Sequence, residues 1–539
     1  MPMKLKRIKR PVVRIDTRPQ MPLFDGDRDA MPVRDGTAVS RPLRFVEPDP
    51  REIRFGALGL DEHLKQMGVT DALVVRELLA RCDWSAFEAR YAPDGRPSYA
   101  PRLMTGIVLF GLRRGVSSLR ELERFARTDL GCMWVSGGIT PDHSVLGRFI
   151  QRHEAELSRE LFAAVVDEAL KRTGSNRDRL AGDGTTLEAM SSRFALMKRE
   201  ALAQWRERLG QSGGDGAEAE RAQVDQLCAV LAEREQAKAI VPAEPEAGLL
   251  RLKNGRGSRP AYEALVLANK ARVVVDAQVH STSEIAPMKE LLERLDGEQT
   301  QELLLDAGFA NDFELIERTV AQEISLLCPE RAETTQGKEP RLIPLREFRY
   351  DEERDGYVCP QGKWLRATNR CAGNAAEGRR PYVRYTASAL DCGGCARRAT
   401  CTDAKVRSIQ RTQGQEYKEA LRVVMAQPRA KRIFAQRKAM VEPVFSVLRE
   451  RQGLHRFRRK GLAGVRLELR LHLIAYNISR AVAYAQRRAG RGIFGLIQQL
   501  LGLASAIVGD AQRIGSLAKG MIPGLRYSPR PRLMPAQAV

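Results

Sequence analysis

Histidine is scarce in this sequence, with six residues in 539. None of them falls in an HExxH arrangement, so the usual helix-borne zinc hydrolase site is excluded. No GxxxxGK[ST] loop is present to cradle a nucleoside triphosphate, which removes ATP-driven chemistry of that kind. Long uncharged runs are missing too. The longest, GIFGLIQQLLGLASAIVG (Gly492–Gly509), is interrupted by Gln498, Gln499 and Ser505 and reads as a packing helix, so no membrane span is expected. The opening MPMKLKRIKR is basic and passes into PVVRIDTRPQ without an apolar core, so no secretory signal is expected. The nine cysteines are an odd number, which argues against a disulfide framework. Five of them crowd between Cys359 and Cys401, and that crowding calls for a metal.

What is abundant is positive charge. Lys and Arg number 89 against 67 Asp and Glu, a formal net charge of +22. A long chain with that excess needs a polyanionic partner, and nucleic acid is the commonest. The length allows three or four domains with large cores.

Residues 1–54 are rich in Pro, Arg and Asp without periodicity and read as a flexible basic arm. Residues 55–175 read as a helical domain. APRLMTGIVLFGLRRG carries Pro101 in its first turn, SSLRELERFARTDL opens with Ser118 and Glu121 at capping-box spacing, and TPDHSVLGRFIQRHEAEL opens with Thr140 as cap. In the last of these, Val145, Leu146, Phe149 and Ile150 form an apolar face, with Arg148 and Arg152 elsewhere. A DNA-binding helix-turn-helix and an ordinary bundle with a basic face both fit.

From Arg179 the pattern turns to mixed α/β. LAGDGTTLEAM (Leu180–Met190) reads as a strand bearing Asp183 between two glycines. Residues 191–257 read as an inserted helical hairpin. EALVLA and ARVVVDAQVH then form a β-hairpin turning at NK, SEIAPMKELLERL a helix, QELLLDAGF a strand ending at Asp306, NDFELIERTVAQEI a helix and SLLCP a strand. Residues 330–414 are cysteine-bearing and read as irregular, after which EYKEALRVVMAQPRAKRIFAQRKAMVEPVFSVLRERQG and LAGVRLELRLHLIAYNISRAVAYAQRRAG are helical. With the insertions removed, the order is three strands, helix, strand, helix, strand, helix. That is the order of an RNase H-like mixed sheet with flanking helices, spanning 176–485 and followed by a helix and tail at 486–539. In such a core the first and fourth strands are neighbours, which would bring Asp183 and Asp306 together. Small neighbours in DG and DAG would let backbone, metal and phosphate approach. A third acid, Glu442, comes from KAMVEPVFSVLRER, where Val441, Val444, Phe445 and Leu448 form the inward stripe. Lys438, Glu442 and Arg449 share another face. Pro443 is expected to start or kink that helix. Three carboxylates suit two Mg2+ or Mn2+ ions about 4 Å apart, which activate a water or a 3′-hydroxyl and stabilise the leaving oxygen at phosphorus.

These residues also resemble a known family, the DDE transposases of bacterial insertion sequences with an RNase H-like core. The resemblance runs from about Tyr91 to Ala485. It is carried by YAPDGRPSYAPRLM, GVSSLRELERFARTD…TPDHSVLGRF, DGTT, LLLDAGF and VEPVFSVLR…GLHRFRRKGLAGVRLELRLHLIAYN. It implies catalysis by Asp183, Asp306 and Glu442, cleavage at inverted-repeat ends of double-stranded DNA, and joining of the freed 3′-hydroxyls to a target. It also implies a dimer assembled on two ends, in a bacterial cytoplasm. The family's base after six intervening residues, usually lysine, is here Arg449. The upstream positions often held by tyrosine and arginine are here Ala435 and Lys438.

Two further features bear on function. Cys359 in YVCPQG, with Cys392, Cys395 and Cys401 in DCGGCARRATC, have the spacing of a four-thiolate structural zinc site, with Cys371 as a spare. RQGLHRFRRKG places Arg451, His455, Arg456, Arg458, Arg459 and Lys460 around Phe457, a basic run suited to clamping a DNA backbone. The rival readings are a DNA-binding protein without catalysis and a nuclease that cuts without joining.

Overall fold

The computed structural model describes residues 45–488, apart from 94–95, 212–216, 235–236, 238, 253–256, 282–284, 331–341 and 375–378. The Gly492–Gly509 helix, the tail and residues 1–44 of the arm lie outside the described residues.

Residues 45–54, assigned above to the arm, make defined contacts with the helical region, although most of their side chains are exposed. Phe45–Val46 pairs in parallel with Ser98–Tyr99, and the Phe45 ring meets Tyr91 edge-on at 5.2 Å. The Pro48 carbonyl lies where a Cβ on Gly137 would be, 2.5 Å away, so that position admits only glycine. The helical region follows its apolar periodicity. Pro101–Arg113 is buried along most of its length, and Leu119–Thr128 packs on His143–Arg152. Between those two sits a helix the sequence reading missed, Leu130–Ser136, capped by the Asp129 side chain on Cys132 N–H at 2.7 Å. The cap of the following helix is Asp142 and not Thr140. Its carboxylate accepts from the N–H groups of Ser144 and Val145 at 2.7 and 3.0 Å, and Pro141 stays outside. Leu146, Phe149 and Ile150 face inward, while Arg148 and Arg152 are exposed.

The central sheet contains β1 (Arg179–Glu188), β2 (Ser258–Asn269), β3 (Val274–His280), β4 (Glu302–Leu304) and β5 (Ser325–Leu327), in the order β3-β2-β1-β4-β5. β1, β2 and β3 pair antiparallel; β4 lies parallel to β1 and to β5. A short strand, Gly248–Arg251, extends the sheet from β2. The β2–β3 turn is longer than NK. It spans Asn269 to Val273, closed by Asn269 Oδ1 accepting from Val273 N–H at 2.9 Å, with Arg272 at φ +63. The hairpin insertion consists of helices Arg199–Gln211 and Ala217–Glu233 around their own apolar cluster of Leu202, Val224, Leu227 and Leu231.

The cysteine-bearing segment is not irregular. It forms a five-stranded antiparallel sheet from Arg349–Asp351, Gly356–Val358, Trp364–Cys371, Tyr382–Ala387 and Ser408–Thr412. Tyr357, Leu365, Tyr385 and Ile409 fill its core. The long C-terminal helical run is divided at its proline and glutamine junctions into Gln415–Ala426, Pro428–Phe434 and Arg437–Ser446. A π-helical turn follows at Val447–Arg451, and a last helix runs from 461 through 488.

Candidate active site

The parallel register of β1 and β4 decides where the first two acids stand. Ala181 is opposite Leu304, so two residues further on Asp183 and Asp306 emerge side by side, on the same face by the period-two rule. Asp306 is not the last strand residue; it begins the turn after β4, where its carboxylate accepts from Gly308 N–H at 2.9 Å. The Asp183 carboxylate accepts from Gly184 N–H at 3.1 Å.

Gly182, the residue before Asp183, is set by packing. A Cβ there would lie 2.6 Å from a Leu305 methyl and 2.7 Å from Met288, so the glycine serves packing on the face away from Asp183.

The helix Arg437–Ser446 packs across β1 and β2 through Val441, Val444 and Phe445, and Leu448 continues the stripe in the turn beyond; all four are buried as expected. At its start stands a residue the sequence reading passed over. Arg437 is 7% exposed, and its guanidinium lies 3.4 Å from Asp183 and 3.7 Å from Asp306, bridging the two carboxylates. Its Nε finds no hydrogen-bond partner among the described residues. The only hint in the sequence is an arginine five positions before Glu442, one step from where the family places one. Beneath the pair, Cys328 donates to the Asp306 carbonyl at 2.9 Å, and burial pushes its thiol up to about 12, so it is a neutral packing group.

Glu442 itself is exposed, and Pro443 neither starts nor breaks the helix. The missing proline N–H would have bonded the Ala439 carbonyl, four residues back. Arg272 takes its place, donating Nε to that carbonyl at 2.9 Å from the β2–β3 turn. Glu442 makes no ion pair or hydrogen bond among the described residues. Its helical neighbour at plus seven, Arg449, hydrogen-bonds Thr185 Oγ1, two residues beyond Asp183 on β1. Arg449 thus touches the Asp183 strand, from a π-helical turn that shifts it off the α-helical face of Glu442, and no described contact joins Glu442 to Asp183 or Asp306. Lys438, at minus four, is exposed.

The basic run after this helix is partly structural. Arg456 donates to the carbonyls of Ala189 and Met190, Phe457 is buried against Tyr262 at 6.0 Å, and the N–H groups of Arg458 and Arg459 cap the buried Glu468 carboxylate. Burial raises the Glu468 carboxyl above its ordinary range, against the pull of those two N–H groups. The side chains of Arg458 and Lys460 are exposed, and Arg459 is half-buried.

Cys359, Cys392, Cys395 and Cys401 line one small cavity. Cys359 Sγ accepts from the N–H groups of Gln361 and Lys363, both at 3.3 Å, as a thiolate at a metal knuckle would. Burial raises the Cys401 thiol, with Cys392, Cys359 and Cys395 close enough to add to it. Cys371 ends its strand opposite Tyr382, outside that cavity. Among the described residues, no three His, Cys, Asp or Glu side chains are disposed as they stand to hold a metal ion.

Two family models match the chain. Residues 358–482 match a transposase DDE domain, and residues 64–152 match a transposase domain, DUF772. Two separate stretches of the chain are thus similar to transposase domains, one of them the DDE domain. The first match spans the four cysteines, Arg437, Glu442 and Arg449; the second spans Arg148 and ends at Arg152. Asp183 and Asp306 lie outside both, so their assignment rests on the register of β1 and β4. No curated protein matches the chain. Transposases act on DNA, which accounts for the net charge of +22. Among the described residues, no helix is long and apolar enough to cross a membrane.

Proposed function

We propose that the chain cleaves double-stranded DNA at the ends of an insertion sequence and transfers the freed 3′-hydroxyls to a target, with Asp183, Asp306 and Glu442 as the catalytic acids. The observation that carries this is the Asp183–Asp306 pair, one on β1 and the other just past the end of the parallel β4, bridged by the buried Arg437 guanidinium. The sheet order β3-β2-β1-β4-β5, half antiparallel and half parallel, supports an RNase H-like core.

The pair already holds one positive group, and paired carboxylates with room for phosphate oxygens are the donor set that Mg2+ and Mn2+ take. Ions held there supply Lewis-acid activation of an oxygen nucleophile and stabilise the oxygen that leaves phosphorus. In this reading Glu442, exposed on the helix that begins at Arg437, is the third acid of the set. Arg449, held on Thr185, places a fixed charge next to the scissile phosphate. Arg148, Arg152, Lys438, Arg458, Arg459 and Lys460 supply backbone contacts, while Arg456 is committed to Ala189 and Met190. Cys359, Cys392, Cys395 and Cys401 line one cavity and, drawn together, would hold a structural Zn2+ that would help fold the 349–412 sheet. A homodimer on two ends and a bacterial cytoplasmic setting belong to this same reading.

The exposed Glu442, without a partner among the described residues, favours one alternative, a DNA binder without catalysis. Incubating end-bearing duplex with Mg2+ or Mn2+ separates them. Asp306→Asn is expected to abolish cleavage while keeping DNA binding, and undiminished cleavage in that variant sinks the assignment. Strand-transfer products distinguish the transposase from a nuclease that only cuts.

A further inference from the structure

A cavity of about 550 Å3 opens in the helical domain, between the paired strands Phe45–Val46 and Ser98–Tyr99 and the helix His143–Arg152. Its volume is in the range of small-ligand sites. The floor is apolar: Met104 and Phe149 are 2% and 6% exposed, and the half-buried Tyr99 ring joins them. The rim carries the guanidinium groups of Arg96, Arg148 and Arg152. None of the three makes a salt bridge among the described residues. The Asp142 carboxyl, on the turn before Arg148, is held low first by Ser144 and Val145 and only lastly by Arg148 through space. Arg152 is fixed over the Tyr91 ring at 5.4 Å, while that ring stacks on His153 at 5.5 Å and its hydroxyl bonds His153 Nε2 at 3.0 Å. The rim charge is thus oriented before any ligand arrives.

Like charges gathered without a salt-bridge partner among the described residues, above a greasy floor, ask for a ligand that is anionic at one end and flat and apolar at the other. Duplex DNA offers phosphates on its outside and keeps its bases stacked away, so duplex contacts need the rim but not the floor. An unpaired nucleotide uses both, because every base has an apolar face that stacks on an aromatic ring while its phosphate stays outside. We propose that this cleft holds one unpaired nucleotide of a DNA strand, the base against Tyr99 and the phosphate among Arg96, Arg148 and Arg152. The proposal rests on DNA as the partner and adds that the helical domain reads a frayed or single-stranded element, beyond gripping duplex backbone.

The test uses the full chain, a fluorescein-labelled blunt duplex, and the same duplex with a short unpaired tail carrying 2-aminopurine. The tailed probe is expected to bind more tightly, with 2-aminopurine quenched on binding. Tyr99→Ala is expected to weaken the tailed probe by about tenfold, erasing its advantage over the blunt one, and Tyr99→Phe to keep it. Arg96→Ala, at an exposed position, is expected to lower tailed-probe affinity and flatten its salt dependence. If thermal melting shows Tyr99→Ala unfolded, Arg96→Ala and Tyr99→Phe decide. Equal binding of the two probes by the wild type, or equal weakening of both by Arg96→Ala and Tyr99→Ala, overturns the nucleotide site while leaving the DNA reading intact. A wild-type chain that binds neither probe overturns both.

Discussion

A guanidinium 7% exposed between two carboxylates, with its Nε unsatisfied among the described residues, is a group under two opposing demands. It neutralises Asp183 and Asp306 when nothing else does, and it stands in the way of any other cation. Arg437→Met is therefore expected to do two things at once. In chelator it lowers the melting temperature, because two neighbouring carboxylates lose their shared counter-charge. In a Mn2+ titration followed by the magnetic resonance of the free ion, it tightens binding by on the order of tenfold, because the ion no longer displaces a bound charge. Weaker Mn2+ binding in this variant would make Arg437 a support of the ion site instead of its competitor. Gly182 gives a second residue-level test. Adding a single methyl group there meets Leu305 and Met288 at 2.6 and 2.7 Å, so Gly182→Ala is expected to cost about 1–3 kcal/mol of stability in urea unfolding. Since the methyl points away from Asp183, Mn2+ affinity should hold; a loss of affinity at unchanged stability would place Gly182 at the ion site.

At the scale of elements, Pro443 sits mid-helix at no visible cost because Arg272 donates to the carbonyl the proline leaves free. Arg272→Ala should orphan that carbonyl and destabilise by about 1–2 kcal/mol, and the same change made with Pro443→Ala should cost less, because the restored N–H closes the helix again. Additive losses in that double-mutant cycle would mean the two residues are independent. None of this coupling could be read from the chain, since Arg272 and Pro443 are far apart in sequence and only the fold makes them neighbours. The Asp183–Asp306 pairing was legible because strand order alone makes the first and fourth strands adjacent. The apolar stripe of Val441, Val444, Phe445 and Leu448 was legible from helical spacing. The sheet of residues 349–412 was not, because Tyr357, Leu365, Tyr385 and Ile409 come from four different strands and Arg366 to Arg370 are exposed in a row, so its longest strand shows no period of two. Arg437 was missed for a related reason: spacing along a helix fixed attention on the face of Glu442, while a long side chain from the buried face reaches the carboxylates.

Over the whole molecule, the helix from 461 through 488 ties the helical domain to the central sheet. Asn477 bonds both backbone groups of Val274, at 2.9 and 2.8 Å, Arg470 reaches Asp276 at 2.7 Å while lying over Phe162 at 4.2 Å, and Ser479 accepts from Arg113 at 2.9 Å. On the same helix His472 is buried, bonded to Gln452 Oε1 at 2.9 Å, and burial with Arg458 nearby pushes its pKa down to about 3. In the helical domain His153 is also buried and lowered to about 4 by burial, Glu156 opposing and Arg152 and Arg90 assisting. An imidazole whose pKa is lower folded than unfolded takes up more protons in the unfolded chain. Stability from each is whole above about pH 6.5 and drains away as pH falls towards the folded pKa. By pH 5 the two histidines together remove about 4 kcal/mol, half from each. Urea midpoints at pH 7.5 and 5.0 should show that fall, and His472→Gln, which keeps a donor for Gln452, should lose about half of it. If the variant and the wild type keep the same pH slope, then His472 is protonated inside the fold, and the junction between domain and sheet holds a charge its surroundings give no means to satisfy.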